Sequence, residues 1–182
     1  MTNHPTTMQL EPIGVIHTGF SQAAGTPIQP GTARGAEGTV EVFAPFAEGL
    51  KDLDGFERIW LLYWFDRASP AQMIVRPYMD DSPRGLFATR APCRPNPIGM
   101  SAVRLLRIEG ARLHVADVDI LDGTPLLDIK PYAPQFDHYT VSRTGWLSQA
   151  TTPAVADGRF YRADGPREHC DEEASNPRDR LP

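Results

Sequence analysis

Apolar residues recur along this chain in short bursts. Ile13-Gly14-Val15-Ile16-His17 groups β-branched residues and predicts a first strand, and Gly38-Thr39-Val40-Glu41-Val42-Phe43 alternates apolar with polar and predicts a second. Residues 45–50 suit a short helical turn. Residues 56–65, FERIWLLYWF, form the most apolar stretch of the chain. Their aromatic and β-branched content and their length favour a buried strand over a helix, a choice that periodicity alone does not decide. Residues 73–76 and 85–89 predict further strands on either side of the turn Asp80-Asp81-Ser82-Pro83. Residues 102–109 and 112–120 predict a hairpin about Glu109-Gly110, and residues 126–129 a last short strand.

Breakers decide how these pieces assemble. The chain of 182 residues holds 18 prolines and 15 glycines, too many for long helices. Residues 25–38 open with two prolines and two glycines in seven positions, which excludes a helix or a central strand there. Seven or eight short strands without a long amphipathic helix predict an all-β fold, a small antiparallel β-barrel with short peripheral helices. Residues 1–8 read as a flexible N-terminus, 9–145 as the barrel domain and 146–182 as a polar C-terminal extension. Within it, residues 163–180 are expected to form a peripheral tail, with one helix after Pro166.

A formal net charge of −5 argues against bulk neutralisation of a polyanion, so any nucleic-acid contact has to rest on a local patch. Cys93 and Cys170 form no CxxC, and no long apolar run or signal peptide is evident; the expectation is a soluble cytoplasmic protein with free thiols and no membrane role.

Two segments carry candidate chemistry. The first is GLFATRAPCRPNPIGMS, residues 85–101, with three prolines among residues 92–97. Pro95 and Pro97 fix their own φ and push Arg94 and Asn96 towards extended geometry, so the loop is stiff before a ligand arrives. It presents Arg90 and Arg94, suited to a carboxylate or phosphate; a rigid connection whose arginines pair with nearby acids is the alternative. The second is DVDILDGTPLLDIKPY, residues 117–132. As a strand it would place Asp117 and Asp119 on one face, before an Asp122-Gly123 turn. An acid there suits ribose hydroxyls or a cation, and local Asx turns with an Asp128–Lys130 surface pair are the alternative.

Together with Gln29-Pro30-Gly31, the aromatic strand and Val75-Arg76-Pro77, these two segments stand in an order and spacing that resembles the TrmO/YaeB (TsaA-like) family of β-barrel methyltransferases. The resemblance covers residues 13–132. It implies a homodimeric barrel that uses S-adenosylmethionine to methylate N6 of threonylcarbamoyladenosine at position 37 of tRNA. It further implies cofactor contacts from Pro30, Gly31 and Thr32, from Phe65 and Asp66, from Arg90 and Met100, and from Val118, Asp119, Ile120 and Leu121. Thr32 stands where the family often has Leu, and Asp66 where many members have His. Longer bacterial members carry a further C-terminal domain where this chain has a polar tail. Methylation of a small molecule or another nucleic acid, and a non-catalytic cofactor-binding module, are the rival expectations.

No catalytic residue is singled out and no general base is identified; Arg94, Lys130 and Tyr132 are the catalytic candidates. Arg90, Arg94 and Lys130 suit the anionic threonyl carboxylate of the modified base, and Arg76, Arg84, Arg104 and Arg107 suit phosphates. His17, His114, His138 and His169 have no metal-ligand spacing, so no metal is expected. Cys93 lacks a local activating partner and reads as a packed side chain, and Trp60, Tyr63, Trp64 and Phe65 read as mostly core, with one face of their strand open to base stacking.

Overall fold

Alternation within each strand gives the fold its inside and its outside. The computed structural model describes residues 8–150 and 155–161. Its strands are β1 (Gly14–Thr18), β2 (Glu37–Val42), β3 (Arg58–Trp64), β4 (Ile74–Val75), β5 (Arg84–Gly85), β6 (Ile98–Glu109), β7 (Arg112–Ala116) and β8 (Thr124–Pro131). Along β3, Ile59, Leu61 and Tyr63 are buried, while Trp60, Leu62 and Trp64 are half-buried on the other face. The inward set meets Ile16, Val40, Val103, Leu113, Val115 and Leu126 in one core.

Six strands close on themselves in the order β1-β2-β7-β6-β3-β8, every pair antiparallel. Because β1 pairs with both β2 and β8, the sheet keeps no open edge. The all-β barrel is thus the observed architecture. β4 and β5 stand apart as a two-stranded ribbon. The ribbon adjoins a second small core of Val75, Leu86, Ala91, Cys93 and Phe160.

Four local expectations change. Residues 86–88 form a 3-10 turn, since Leu86 turns into the small core while its neighbour Phe87 stays outside. The strand after Arg112 stops at Ala116, because Asp117 takes a left-handed φ of 64°. Its carboxylate accepts from the Gly35 N–H at 3.0 Å and Arg58 Nη2 at 2.8 Å, and these partners, with the Gly35 amide foremost, hold its pKa below the ordinary range. Asp117 and Asp119 therefore share no strand face. The loop of residues 25–38 contains one 3-10 turn, Pro30–Thr32, entered through Pro30. Finally, β6 begins inside the proline-rich segment, at Ile98.

That early start has a packing reason. Gly99 lies opposite Tyr63 in the β3–β6 register, and a Cβ on Gly99 would fall 2.2 Å from the tyrosine ring. Glycine makes room for an aromatic ring to lie across the neighbouring strand.

Candidate functional site

A cavity of about 670 Å³ opens where the β3 exit, the proline-rich segment, the first long loop and residues 155–161 converge. Its volume falls within the range of small-molecule sites, about 300–1,000 Å³. The strand period places Tyr63 and Phe65 at this end of β3, their rings 5.2 Å apart and edge to face. From β6, Gly99 and Met100 line the cavity, with Met100 half exposed at its edge.

One wall is a hydrogen-bonded chain. Tyr63 Oη lies 3.1 Å from Ser101 Oγ, which donates to Asp119 Oδ1 at 2.6 Å. Burial pushes the Asp119 carboxyl up to about 6, against the pull of the Ser101 hydrogen bond and of Arg90. Tyr63 is raised by its own burial and by the Asp119 charge.

Another wall carries positive charge. Arg90 and Arg94 both line the cavity, and among the described residues neither has a carboxylate within ion-pair distance. Arg90 Nη1 donates to Gln29 Oε1 at 2.7 Å, and Arg94 Nη1 to the carbonyl of Thr89 at 3.1 Å. These neutral acceptors orient the guanidinium groups without cancelling their charge.

Residues 155–161, early in the C-terminal extension, pack back onto the loops at this end of the barrel. Val155 bridges to Pro27 and Tyr161 to Ala68, and Phe160 is buried with its ring 5.0 Å from that of Tyr78. Phe160, Tyr161 and Tyr78 all line the cavity. The expected helix after Pro166 lies outside the described residues.

The sequence-derived site residues other than Lys130 and Tyr132 separate into four groups. Phe65, Arg90, Arg94, Met100 and Asp119 share the cavity. Pro30, Gly31 and Thr32 stop one residue short of it: Gln29 lines the wall, while the 3-10 turn that follows is locked by Thr32 Oγ1 donating to the Gln29 carbonyl at 2.9 Å. Asp66, Ile120 and Leu121 border a second space of about 10 Å³, which shares Phe65 and Asp119 with the first and holds about one water. Asp66 is buried there, its carboxyl pushed up by burial, with Arg67 Nε 3.5 Å away pulling it back. Val118 points into the barrel core and is fully buried.

Lys130 and Tyr132 are not in the cavity. Lys130 pairs in register with Trp60, and the Tyr132 N–H donates to the Arg58 carbonyl, at the opposite end of β3 from Phe65. At about 3.3 Å per residue the offset from Arg58 to Phe65 is roughly 20 Å. Lys130 Nζ lies 2.6 Å from Asp128 at the surface, and the Tyr132 ring packs 5.6 Å from Trp60. Three of the four arginines expected to meet phosphates also have acids of their own: Arg84 with Asp80 at 2.5 Å, Arg104 with Asp117 at 4.0 Å and Arg107 with Glu109 at 2.7 Å. Cys93 is fully buried in the small core, where desolvation raises its thiol pKa.

Sequence reasoning missed Gln29, Tyr63, Tyr78, Phe87, Ser101, Trp146, Phe160 and Tyr161, all but Ser101 lining the cavity. Period two from Phe65 reaches Tyr63, and Phe160-Tyr161 is an aromatic pair in an otherwise polar stretch, so part of the signal was present.

Residues 15–138 match the family model described as the tRNA-methyltransferase O N-terminal domain. A probable S-adenosyl-L-methionine-binding protein of Pyrococcus abyssi is 53% identical over 153 residues, which cover 82% of this chain and 83% of that protein. The tRNA (adenine(37)-N6)-methyltransferase of Escherichia coli is 37% identical over 69% of this chain and 58% of its own length. The crystal structure of TrmO from Pseudomonas aeruginosa superposes with a TM-score of 0.66 at 41% identity, covering 78% of this chain and 63% of that one. The chain thus spans about three-fifths of those last two proteins.

Proposed function

The chain belongs to the tRNA-methyltransferase O family, and on that premise we propose that it binds S-adenosylmethionine in the 670 Å³ cavity and methylates an adenosine derivative of tRNA. The observation that carries this reading is the pairing, within one cavity, of the uncompensated Arg90 with the acid Asp119 between aromatic walls. The donor set fits the cofactor. A guanidinium suits its carboxylate, Asp119 suits polar groups of the nucleoside, and Tyr63, Phe65 and Phe160 suit its flat and apolar parts. S-adenosylmethionine supplies a methyl group already activated by its sulfonium.

The protein's own contribution is then alignment and exclusion. Arg90 fixes one end of the cofactor, and the neutral Gln29 holds that arginine in place without quenching it. Phe160 and Tyr161 exclude water from one side of the cavity. Arg94 stands on the same wall and suits an anionic group on the acceptor. Arg94 is the only one of the three catalytic candidates that borders this cavity.

The homodimer and the cytoplasmic setting implied by the family resemblance belong to the same proposal. The exposed apolar pair Met73 and Ile74, at the start of the ribbon, suits a subunit contact. No helix among the described residues is long and apolar enough to cross a membrane. The net charge of −5 favours one rival, transfer to a small molecule or another acceptor on the same cofactor site. Labelled S-adenosylmethionine offered with tRNA that carries or lacks the threonylcarbamoyl group separates these readings. Label entering only the modified tRNA is expected, and equal label in both, or none, overturns the tRNA assignment.

A further inference from the structure

Beside the mouth of the cavity stands an aromatic ledge that the cofactor reading leaves unused. Leu86 is buried in the small core and anchors the 3-10 turn Leu86–Ala88, which leaves the next residue, Phe87, 77% exposed. A large apolar ring held outward by a rigid turn forgoes its own burial, a cost that a binding partner recovers. Trp146 lies beside it in the 3-10 turn Gly145–Gln149, and its indole N–H donates to the Ala88 carbonyl at 2.8 Å. That bond ties the two turns together and leaves both rings on the cavity lining.

Both rings are braced by guanidinium groups. Arg94 lies 5.7 Å from the centre of Phe87, and Arg84, itself neutralised by Asp80, lies 5.6 Å from the centre of Trp146. Among the described residues no acid pairs with Arg94, whose Nη1 contacts are the backbone carbonyls of Thr89 and Ala91. The ledge therefore offers flat π-faces beside one uncompensated cation. A ligand that matches both has a flat ring and an attached negative charge. An apolar peptide would bury Arg94 with no partner.

From this juxtaposition we propose that Phe87 and Trp146 form a stacking site for an unpaired nucleobase of the RNA acceptor, with Arg94 meeting an anionic group attached to that nucleotide. The proposal rests on the tRNA reading above and adds the residues that take the acceptor. Trp146 lies beyond residue 138, where the family-model match ends. Rings already fixed by a turn and a hydrogen bond lose little freedom on binding, and stacking on them tolerates any base.

The test uses the full chain with Phe87→Ala and Trp146→Ala, alongside Phe87→Tyr and Trp146→Phe. Two binding readouts are taken, a fluorescently labelled anticodon stem–loop RNA by anisotropy and S-adenosylmethionine by calorimetry, together with methyl transfer to tRNA. Each alanine variant is expected to weaken RNA binding and raise KM for tRNA about ten-fold, with kcat and cofactor affinity unchanged and the aromatic replacements close to wild type. Phe87 is so exposed that its alanine variant keeps the fold, and it decides the question by itself if Trp146→Ala does not fold. Unchanged RNA binding in Phe87→Ala overturns the proposal. So does a parallel loss of cofactor affinity, which would make the ledge part of the cofactor wall, or conversion of a dimer to monomer, which would make it a subunit contact. Wild-type protein that binds the stem–loop through Trp146 but transfers no methyl group to tRNA supports the ledge and sinks the tRNA methylation reading instead.

Discussion

The two ends of β3 carry the same kind of residue and come to opposite ends. At the exit, Tyr63 and Phe65 meet side chains from β6, the proline-rich segment, the first loop and residues 155–161, and a cavity forms. At the entry, Arg58 is spent on Asp117, Trp60 packs on Tyr132, and Lys130 pairs with Asp128 two residues away. Charges at the entry end are cancelled locally and partly in water, where such pairs are worth little. At the exit, Arg90 and Asp119 are held without a mutual ion pair. A run of aromatic and charged residues therefore says little about where chemistry lies; the difference is made by which loops the closed barrel brings to each end.

The most severe way to break the exit end is Gly99→Ala. A Cβ 2.2 Å from the Tyr63 ring forces the ring or the β3–β6 pairing to move. We expect a loss of about 3 kcal/mol in denaturant unfolding, with the cofactor site lost alongside. Arg90→Met should leave the unfolding midpoint near wild type and weaken S-adenosylmethionine binding by about 30-fold in calorimetry, the scale of a lost charge-assisted contact.

Asp119 sharpens the contrast through pH. Its folded pKa of about 6 lies above the ordinary 3.8, so the folded state takes up its proton first as pH falls. The stability it contributes is complete below the unfolded value and is lost as pH rises through about 6. Asp119→Asn should therefore unfold later than wild type at about pH 8, by roughly 1–2 kcal/mol, with the gap closing at about pH 4. In wild type, cofactor affinity should fall as pH drops below about 6 and the carboxylate is neutralised, and in Asp119→Asn that dependence should flatten. The smallest effect belongs to the entry end. Lys130→Ala should change stability by less than about 0.5 kcal/mol and leave cofactor affinity within error, since its one ion pair is exposed.

Most of the barrel was legible in the sequence because period two is a local property. Residues 13–17, 38–43 and 102–109 lie almost where the strands form. The errors fall where a long-range partner overrides local preference. Asp117 ends β7 because Gly35 and Arg58 reward a left-handed backbone, and residues 86–88 leave the strand because Leu86 has a core to enter. The site was legible in its motifs and incomplete in its walls. Arg90, Arg94 and Asp119 stand in conspicuous segments, whereas Phe160 and Tyr161 reach the cavity only after the chain has folded back across it.

Sequence alone determined the strands, the stiff proline-rich segment and the family, since alternation, fixed φ and motif spacing are written along the chain. Only the tertiary structure decided which charges remain uncancelled and which aromatics face a cavity. Those outcomes depend on the register of β3 against β6 and β8 and on residues nearly a hundred positions apart meeting at one end of a closed sheet.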